Sequence, residues 1–278
     1  MQDRTVVAAK AKIGSDPLLL VDRSQAGVAL VTLNRPDTRN SLSIEMIDRL
    51  HSRFTRLSTD RTVSAIVLAA NGPVFCAGHD LKELTHHRAD ADKGLAFYTE
   101  AMTRCAAMMQ AIVACPKPVI AAVQGTATAA GCQLVATCDL AVAADTAKFC
   151  TPGVNIGLFC STPMVALSRN VGRKRAMEML LIGELISAAD AAAWGLVNRV
   201  VPDARVLPEA LALAGKIAGK SPLTVAMGKA AFYAQGEMPL KDAYDYAAKV
   251  MVDNMMARDA EEGISAFLDK RKPEWKGS

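Results

Sequence analysis

The apolar positions change their period several times along this 278-residue chain. Residues 28–33 (VALVTL) form a short apolar run stopped by Asn34-Arg35-Pro36, which predicts a strand. From Ser43 the period is helical: Ile44, Ile47, Leu50, Phe54 and Leu57 recur at three- and four-residue steps, and Ser43 is placed as a cap. A second apolar run at 63–69 (VSAIVLA) predicts a buried strand and ends at Asn71-Gly72-Pro73. Within 74–84 (VFCAGHDLKEL), Ala77-Gly78-His79 reads as a turn and Asp80 as a helix start. The polar stretch 85–92 reads as a mobile surface loop, and 93–115 as a long helix closed by Pro116 and Pro118.

The stretch 118–139, PVIAAVQGTATAAGCQLVATCD, organises the rest. It predicts a strand at 119–123, a turn at Gln124-Gly125, a small-residue loop over 126–131 and an apolar helix at 132–137. A strand that runs through small residues into a helix start leaves backbone N–H groups free to face a ligand. Such donors suit a developing oxyanion. The same composition equally suits a packed strand–helix unit with no ligand. Gln124, Gly125, Thr126, Thr128, Gly131 and Gln133 argue against a membrane span.

Strands at 140–143 and 148–150 follow, then an irregular segment at 151–162 and helices at 163–170 and 174–182. Ser187 caps a short helix ending at Gly195, and 196–201 is strand-like. From Leu207 the pattern is helical, with breaks at Ser221-Pro222 and 236–239. Strands alternating with helices predict an α/β fold with parallel strands and crossover connections. The expected division is a tail over 1–20, a core over 21–201 and a helical subdomain over 202–278 that is free to pack on a neighbouring subunit. Residues 1–16 read as frayed or as an added edge strand.

Composition narrows the function classes. The net charge of +4 is too mild to argue for nucleic acid, and 5% aromatic residues leave little for base stacking. The seven cysteines include no C-x-x-C pair, which predicts reduced thiols. The first twenty residues carry acids and no apolar core of a signal peptide, so a cytoplasmic location is expected. No metal-ligand set and no G-x-G-x-x-G nicotinamide fingerprint is present. A serine-peptidase reading fails for want of a Ser between Pro116 and Thr151.

Five segments together carry a family resemblance: RPDTRNSLS at 35–43, FCAGHDLKEL at 75–84, GTATAAGCQLVATCD at 125–139, ISAADAAAWGLVNRVVP at 186–202 and AFLDKRKPEW at 266–275. In order and spacing they resemble the enoyl-CoA hydratase/isomerase, or crotonase, superfamily. The resemblance implies a spiral of ββα units with a C-terminal helical subdomain, assembled as a trimer or a hexamer of two trimers. It implies an acyl-CoA thioester as substrate, with coenzyme A entering only as part of it and no permanently bound cofactor. It also implies that the N–H groups of His79 and Ala130 hold the thioester oxygen. Arg39, Asn40 and Lys82 would meet the CoA phosphates, and Ala77, Asp80 and Leu81 would line the pantetheine channel. Phe267 and Lys270 would approach the nucleotide, from a neighbouring subunit.

The two glutamates of the family's hydratases fall on Gln133 and Gly153. A Gln amide takes up no proton at neutral pH, so two-glutamate hydration is not expected. The resemblance leaves two readings: a hydratase/isomerase-type enzyme working through its oxyanion hole, and a non-catalytic acyl-CoA binder or regulator in fatty-acid metabolism. Among candidate bases, the His79 side chain either serves or points away while its N–H acts. His86 and His87 read as solvated, Cys150 and Cys160 as buried hydrophobes, Asp80 as a cap and Glu83 as solvated. Gly153 also implies room for a bound bicarbonate acting as base, as in the superfamily's naphthoate synthases.

Overall fold

The computed structural model describes residues 17–278. The tail or edge strand expected over 1–16 lies outside the described residues. A six-stranded sheet runs in the order β1 (Leu19–Asp22), β2 (Gly27–Leu33), β3 (Val63–Ala70), β5 (Val119–Val123), β7 (Leu140–Ala144), β10 (Arg199–Val201). A four-stranded sheet runs β4 (Val74–Cys76), β6 (Thr126–Thr128), β8 (Lys148–Cys150), β9 (Ile186–Ser187). Among the described residues, only the end pairs β1–β2 and β8–β9 are antiparallel.

Three consecutive strand pairs explain this arrangement. β3 and β4, β5 and β6, and β7 and β8 each give one strand to the large sheet and the next to the small one. Helical structure follows each pair: α2 (Leu81–His86) and α3 (Leu95–Ala114), then α4 (Ala130–Thr137), then a 3-10 turn at Pro152–Ile156 and α5 (Ser161–Asn170). This is the expected spiral of ββα units. Parallel pairing such as Ile66 with Val119 and Ile120 with Leu140 stacks the units in register. The large-sheet strands β3 and β5 are buried along almost their whole length, which is why they read as continuous apolar runs rather than alternating ones.

The amphipathic helix α1 (Ile44–Thr59) starts where expected, with the Ser43 side chain accepting from Met46 N at 3.3 Å. It buries Met46, Ile47, Leu50, Phe54 and Leu57, while Ile44 is only half-buried. The segment expected to be a loop at 85–92 instead continues α2 to His86 and adds a 3-10 turn at His87–Ala89. His87 stacks on Phe97 with ring centroids 3.6 Å apart and bonds Asp90, so it is half-buried and held in place where a solvated side chain was expected.

The boundary placed at residue 202 is corrected. Helix α8 (Val206–Ala218) buries Val206, Ala210 and Ala214 against β2, β3, β5 and β7, so it belongs to the core. The tail boundary at residue 20 likewise cuts through β1. Beyond α8, helices α9 (Pro222–Gln235) and α10 (Leu240–Met255) contain no fully buried residue. Phe232, Tyr244, Met251, Met255 and Phe267 stand exposed on these helices and on α11 (Arg258–Leu268).

Candidate active site

Residues 77–80 are fixed by neighbours on both sides. Ala77 N–H donates to Arg39 O at 3.0 Å, Leu42 N–H to Gly78 O at 2.8 Å and Asp80 N–H to Leu42 O at 3.1 Å. Pairing of this alternating kind uses the amides of Ala77 and Asp80 and leaves that of His79 with no partner among the described residues. Gly78 holds φ +87°, a conformation open to glycine.

The second segment is centred on Ala129. Its N–H donates to Cys150 O at 2.9 Å and its carbonyl accepts from Gln133 N at 3.0 Å. Its backbone, at φ 50° and ψ −121°, is a conformation that side chains other than glycine rarely adopt. α4 then begins at Ala130 with no side-chain cap. Ala130 N–H, in the first turn, has no partner within the helix by geometry and none elsewhere among the described residues.

The two segments touch. A Cβ built on Gly78 would lie 2.9 Å from Ala129 Cβ and 3.2 Å from Ala130 N. Gly131 is packed as closely on the other side, where a Cβ would lie 2.2 Å from Cys76 O. The residues carrying the two expected oxyanion donors therefore sit on neighbouring backbones, and both donors are unused. The short strand β6, where a small-residue loop was expected, holds this contact by pairing with β4 and β8.

Three side chains around Ala129 carry buried polar atoms without partners among the described residues: His79 Nε2, Gln133 Oε1 and Thr151 Oγ1. Gln133 and Thr151 are buried. Burial lowers the pKa of His79, because the protein replaces the water that would solvate an imidazolium. Thr151 carried no signal in the sequence; it is placed by β8, which ends one residue before it.

The carboxylates nearby are committed. Asp80 caps α2, accepting from Lys82 N at 3.1 Å and Glu83 N at 3.3 Å, and also takes the Ser41 hydroxyl at 3.2 Å. Glu83 accepts from Ile44 N at 3.0 Å and so caps α1, where a solvated side chain was expected. The seven cysteines are free and buried. Burial pushes the Cys76 thiol up to about 12 and Cys150 up to about 11.

Gly153 does not open space. A Cβ there would meet Leu158 O at 2.8 Å and Cys160 Sγ at 3.0 Å, and Gly153 N–H donates to that sulfur at 3.3 Å. The space a Cβ would take at Gly153 is filled because the chain folds back, Leu158 N–H donating to Gly153 O at 2.9 Å.

The expected CoA contacts divide. Asn40 is corrected: it is fully buried, and its amide accepts from Arg35 N at 2.8 Å and donates to Asn71 O at 2.9 Å and Val74 O at 2.8 Å. It staples the 35–40 turn to the end of β3 and the start of β4, and both amide hydrogens are used in doing so. Arg39 is exposed beside it. Leu81 and Lys82 line an open depression of about 500 Å³ with Thr85 and His86. Ala77 is half-buried and accepts from Thr128 Oγ1 at 2.9 Å. Phe267 lies in the last turn of α11, which packs on α9 and α10, and Lys270 lies two residues beyond its end.

Residues 23–278 match the family model described as enoyl-CoA hydratase/isomerase. The chain is 48% identical over 261 residues to the rat mitochondrial enoyl-CoA hydratase domain-containing protein 3, covering 94% of this chain and 85% of that one. It is 37% identical to the Escherichia coli 2,3-dehydroadipyl-CoA hydratase, covering 93% and 98%. A crystal structure of an enoyl-CoA hydratase from Mycobacterium smegmatis superposes with a TM-score of 0.88 at 53% identity, covering 94% and 99%. That of the human enoyl-CoA hydratase domain-containing protein 3 gives 0.88 at 47%, covering 93% and 100%.

Proposed function

The chain belongs to the enoyl-CoA hydratase/isomerase family, and on that premise we propose that it binds an acyl-CoA thioester and stabilises its enolate between the N–H groups of His79 and Ala130. One observation carries the reading: both donors lack partners among the described residues, and they lie on segments in contact through Gly78 and Ala129. Donors committed in advance to the position of an oxyanion need no reorganisation during reaction, and one such donor is typically worth about 3–4 kcal/mol of barrier. The chemistry that fits is proton movement next to the thioester carbonyl. Addition of water by a pair of glutamates does not fit, since Gln133 and Gly153 supply no carboxylate.

The exposed apolar side chains of α9, α10 and α11 suit packing against further copies of the chain, a trimer or hexamer. Such packing would bring Phe267 and Lys270 of one copy toward the nucleotide end of a CoA on another. No described helix is long and apolar enough to cross a membrane. The rat and human relatives are mitochondrial by name, which does not favour the cytoplasmic location expected from the first twenty residues.

A second reading, a non-catalytic acyl-CoA binder or regulator, is favoured by the committed carboxylates of Asp80 and Glu83. Calorimetric titration with butyryl-CoA, run beside turnover of 2-enoyl- and 3-enoyl-CoA, separates the readings. Binding with isomerisation supports the enzyme, binding without turnover supports the binder, and no binding defeats both.

A further inference from the structure

We propose that the His79 imidazole is the proton-transfer group of this site, taking the α-proton of an acyl-CoA thioester through Nε2. The proposal rests on the acyl-CoA reading above and adds the residue that moves the proton. Three observations carry it.

The first is that Nε2 is shut off from solvent and has no partner among the described residues. Buried polar atoms are almost always paired. An orphaned one on a segment that also offers an unpaired N–H is a group that a ligand pairs once the imidazole turns out of its enclosed position.

The second is convergence on Ala129. Gly78, next to His79, packs on it; Gln133 N–H bonds its carbonyl; Cys150, next to Thr151, accepts its N–H. Three of the four described residues with orphaned side-chain atoms, all but Gln124, are thus drawn from segments that bond to or pack on one backbone unit. Gln133 and Thr151 are uncharged, so this surrounding neither holds a proton on His79 nor competes for one.

The third is elimination. Asp80 and Glu83 are bound as helix caps, Gln133 and Thr151 do not titrate near neutrality, and Gly153 has no side chain. The Cys76 and Cys150 thiols are held protonated by burial. Among the segments that meet at Ala129, His79 carries the one imidazole, a group that takes up and returns a proton at physiological pH. Its burial keeps the imidazole neutral there and available as a base.

The step balances within the site. The α-carbon–hydrogen bond breaks, an N–H bond forms at Nε2, and the electron pair moves into the thioester as an enolate whose oxygen meets the N–H groups of His79 and Ala130. The imidazolium then either swaps its proton with solvent and delivers a solvent hydron to the α-carbon, giving exchange, or passes its proton to the γ-carbon of an enoyl group, giving isomerisation. Solvent water is the one other reactant, and only exchange uses it.

The test is proton exchange of butyryl-CoA in D2O, followed by NMR, with calorimetric affinity for the same ligand measured alongside. Wild type is expected to bind and to exchange the α-protons. His79→Gln keeps the main-chain donor and a side chain of similar reach, so binding should stay within about 3-fold while exchange falls by about 100-fold or more. Exchange by His79→Gln at the wild-type rate overturns the proposal. So does a wild-type protein that binds butyryl-CoA and exchanges nothing, an outcome that needs no variant to fold and leaves the acyl-CoA reading intact. Absence of binding by the wild type removes the acyl-CoA reading itself, and the proposal with it.

Discussion

Lys229 Nζ donates to Asp139 Oδ2 at 2.7 Å, and only 6% of the Lys229 side chain is exposed. Lys229 sits on α9, and Asp139 lies between helix α4 and the strand β7. The same ammonium donates to Ile112 O and Lys117 O, and Asp139 also accepts from Val119 N and Tyr233 Oη. One buried network therefore fastens the C-terminal helices to the start of β5 and the end of α4.

Breaking this pair on one side should cost more than the pair contributes, because it leaves a buried charge unmatched. Lys229→Met is expected to destabilise the fold by about 3–5 kcal/mol. Adding Asp139→Asn removes the orphaned charge and should recover part of that loss. Tyr233→Phe removes a single hydrogen bond to a carboxylate, expected to cost about 1.5–3 kcal/mol. Urea denaturation of the four proteins measures the differences; equal losses for Lys229→Met and for the double variant would show that the charge is not the cause.

Gly131 sets the position of Ala130 N–H. A Cβ at 131 would fall 2.2 Å from the Cys76 carbonyl oxygen, a main-chain atom with no rotamer to yield. Gly131→Ala should destabilise by at least about 1–3 kcal/mol, the cost of overpacking a close-packed site. It should also push α4 away from β4 and weaken butyryl-CoA binding. Thermal unfolding and calorimetry read the two effects; an alanine variant that binds normally would mean the helix start is not what positions the ligand.

Most of the large sheet was legible because its strands are long apolar runs and its helices have clear stops at Ser43, Pro116 and Ser187. The small sheet was not. β4, β6 and β9 are two or three residues long, too short for a period to register, and β6 is the piece that joins the two halves of the site. Helix α8 was assigned to the wrong body because nothing in a helical pattern says which surface will cover Val206, Ala210 and Ala214. At the site, residues 79 and 130 were expected as donors from the order of motifs, and both N–H groups are unpaired among the described residues. The roles of Asn40 and Glu83 did not, since a polar residue that staples a turn looks the same in sequence as one that meets a ligand.

Restoring a glutamate at residue 153 should fail. Its Cβ would meet Leu158 O at 2.8 Å and Cys160 Sγ at 3.0 Å, so Gly153→Glu is expected to displace the 153–160 turn before any carboxylate reaches a substrate. Gln133→Glu keeps the side-chain length and meets no such obstacle. The double variant should therefore hydrate crotonyl-CoA no faster than Gln133→Glu alone, and should melt at a lower temperature. Faster hydration by the double variant would show that the turn yields at little cost.

The buried imidazole of His79 predicts a pH dependence with a definite sign. Its pKa lies below the ordinary imidazole value because burial disfavours the charged form. Between the folded and unfolded pKa values the unfolded chain binds more protons, so stability rises with pH through this window. The contribution is present in full above the unfolded imidazole pKa, about 6.5, and is lost as pH falls through the folded value. His79→Gln should flatten this part of the stability curve and leave the plateau above it unchanged in slope. Proton exchange by the wild type should fall over the same acid limb, because protonation removes the base, and should be level above it. Urea midpoints and exchange rates taken from pH 5 to 8 test both. An exchange rate that rose on acidification would mean the working form is the imidazolium, and the assignment of His79 as a base would be wrong.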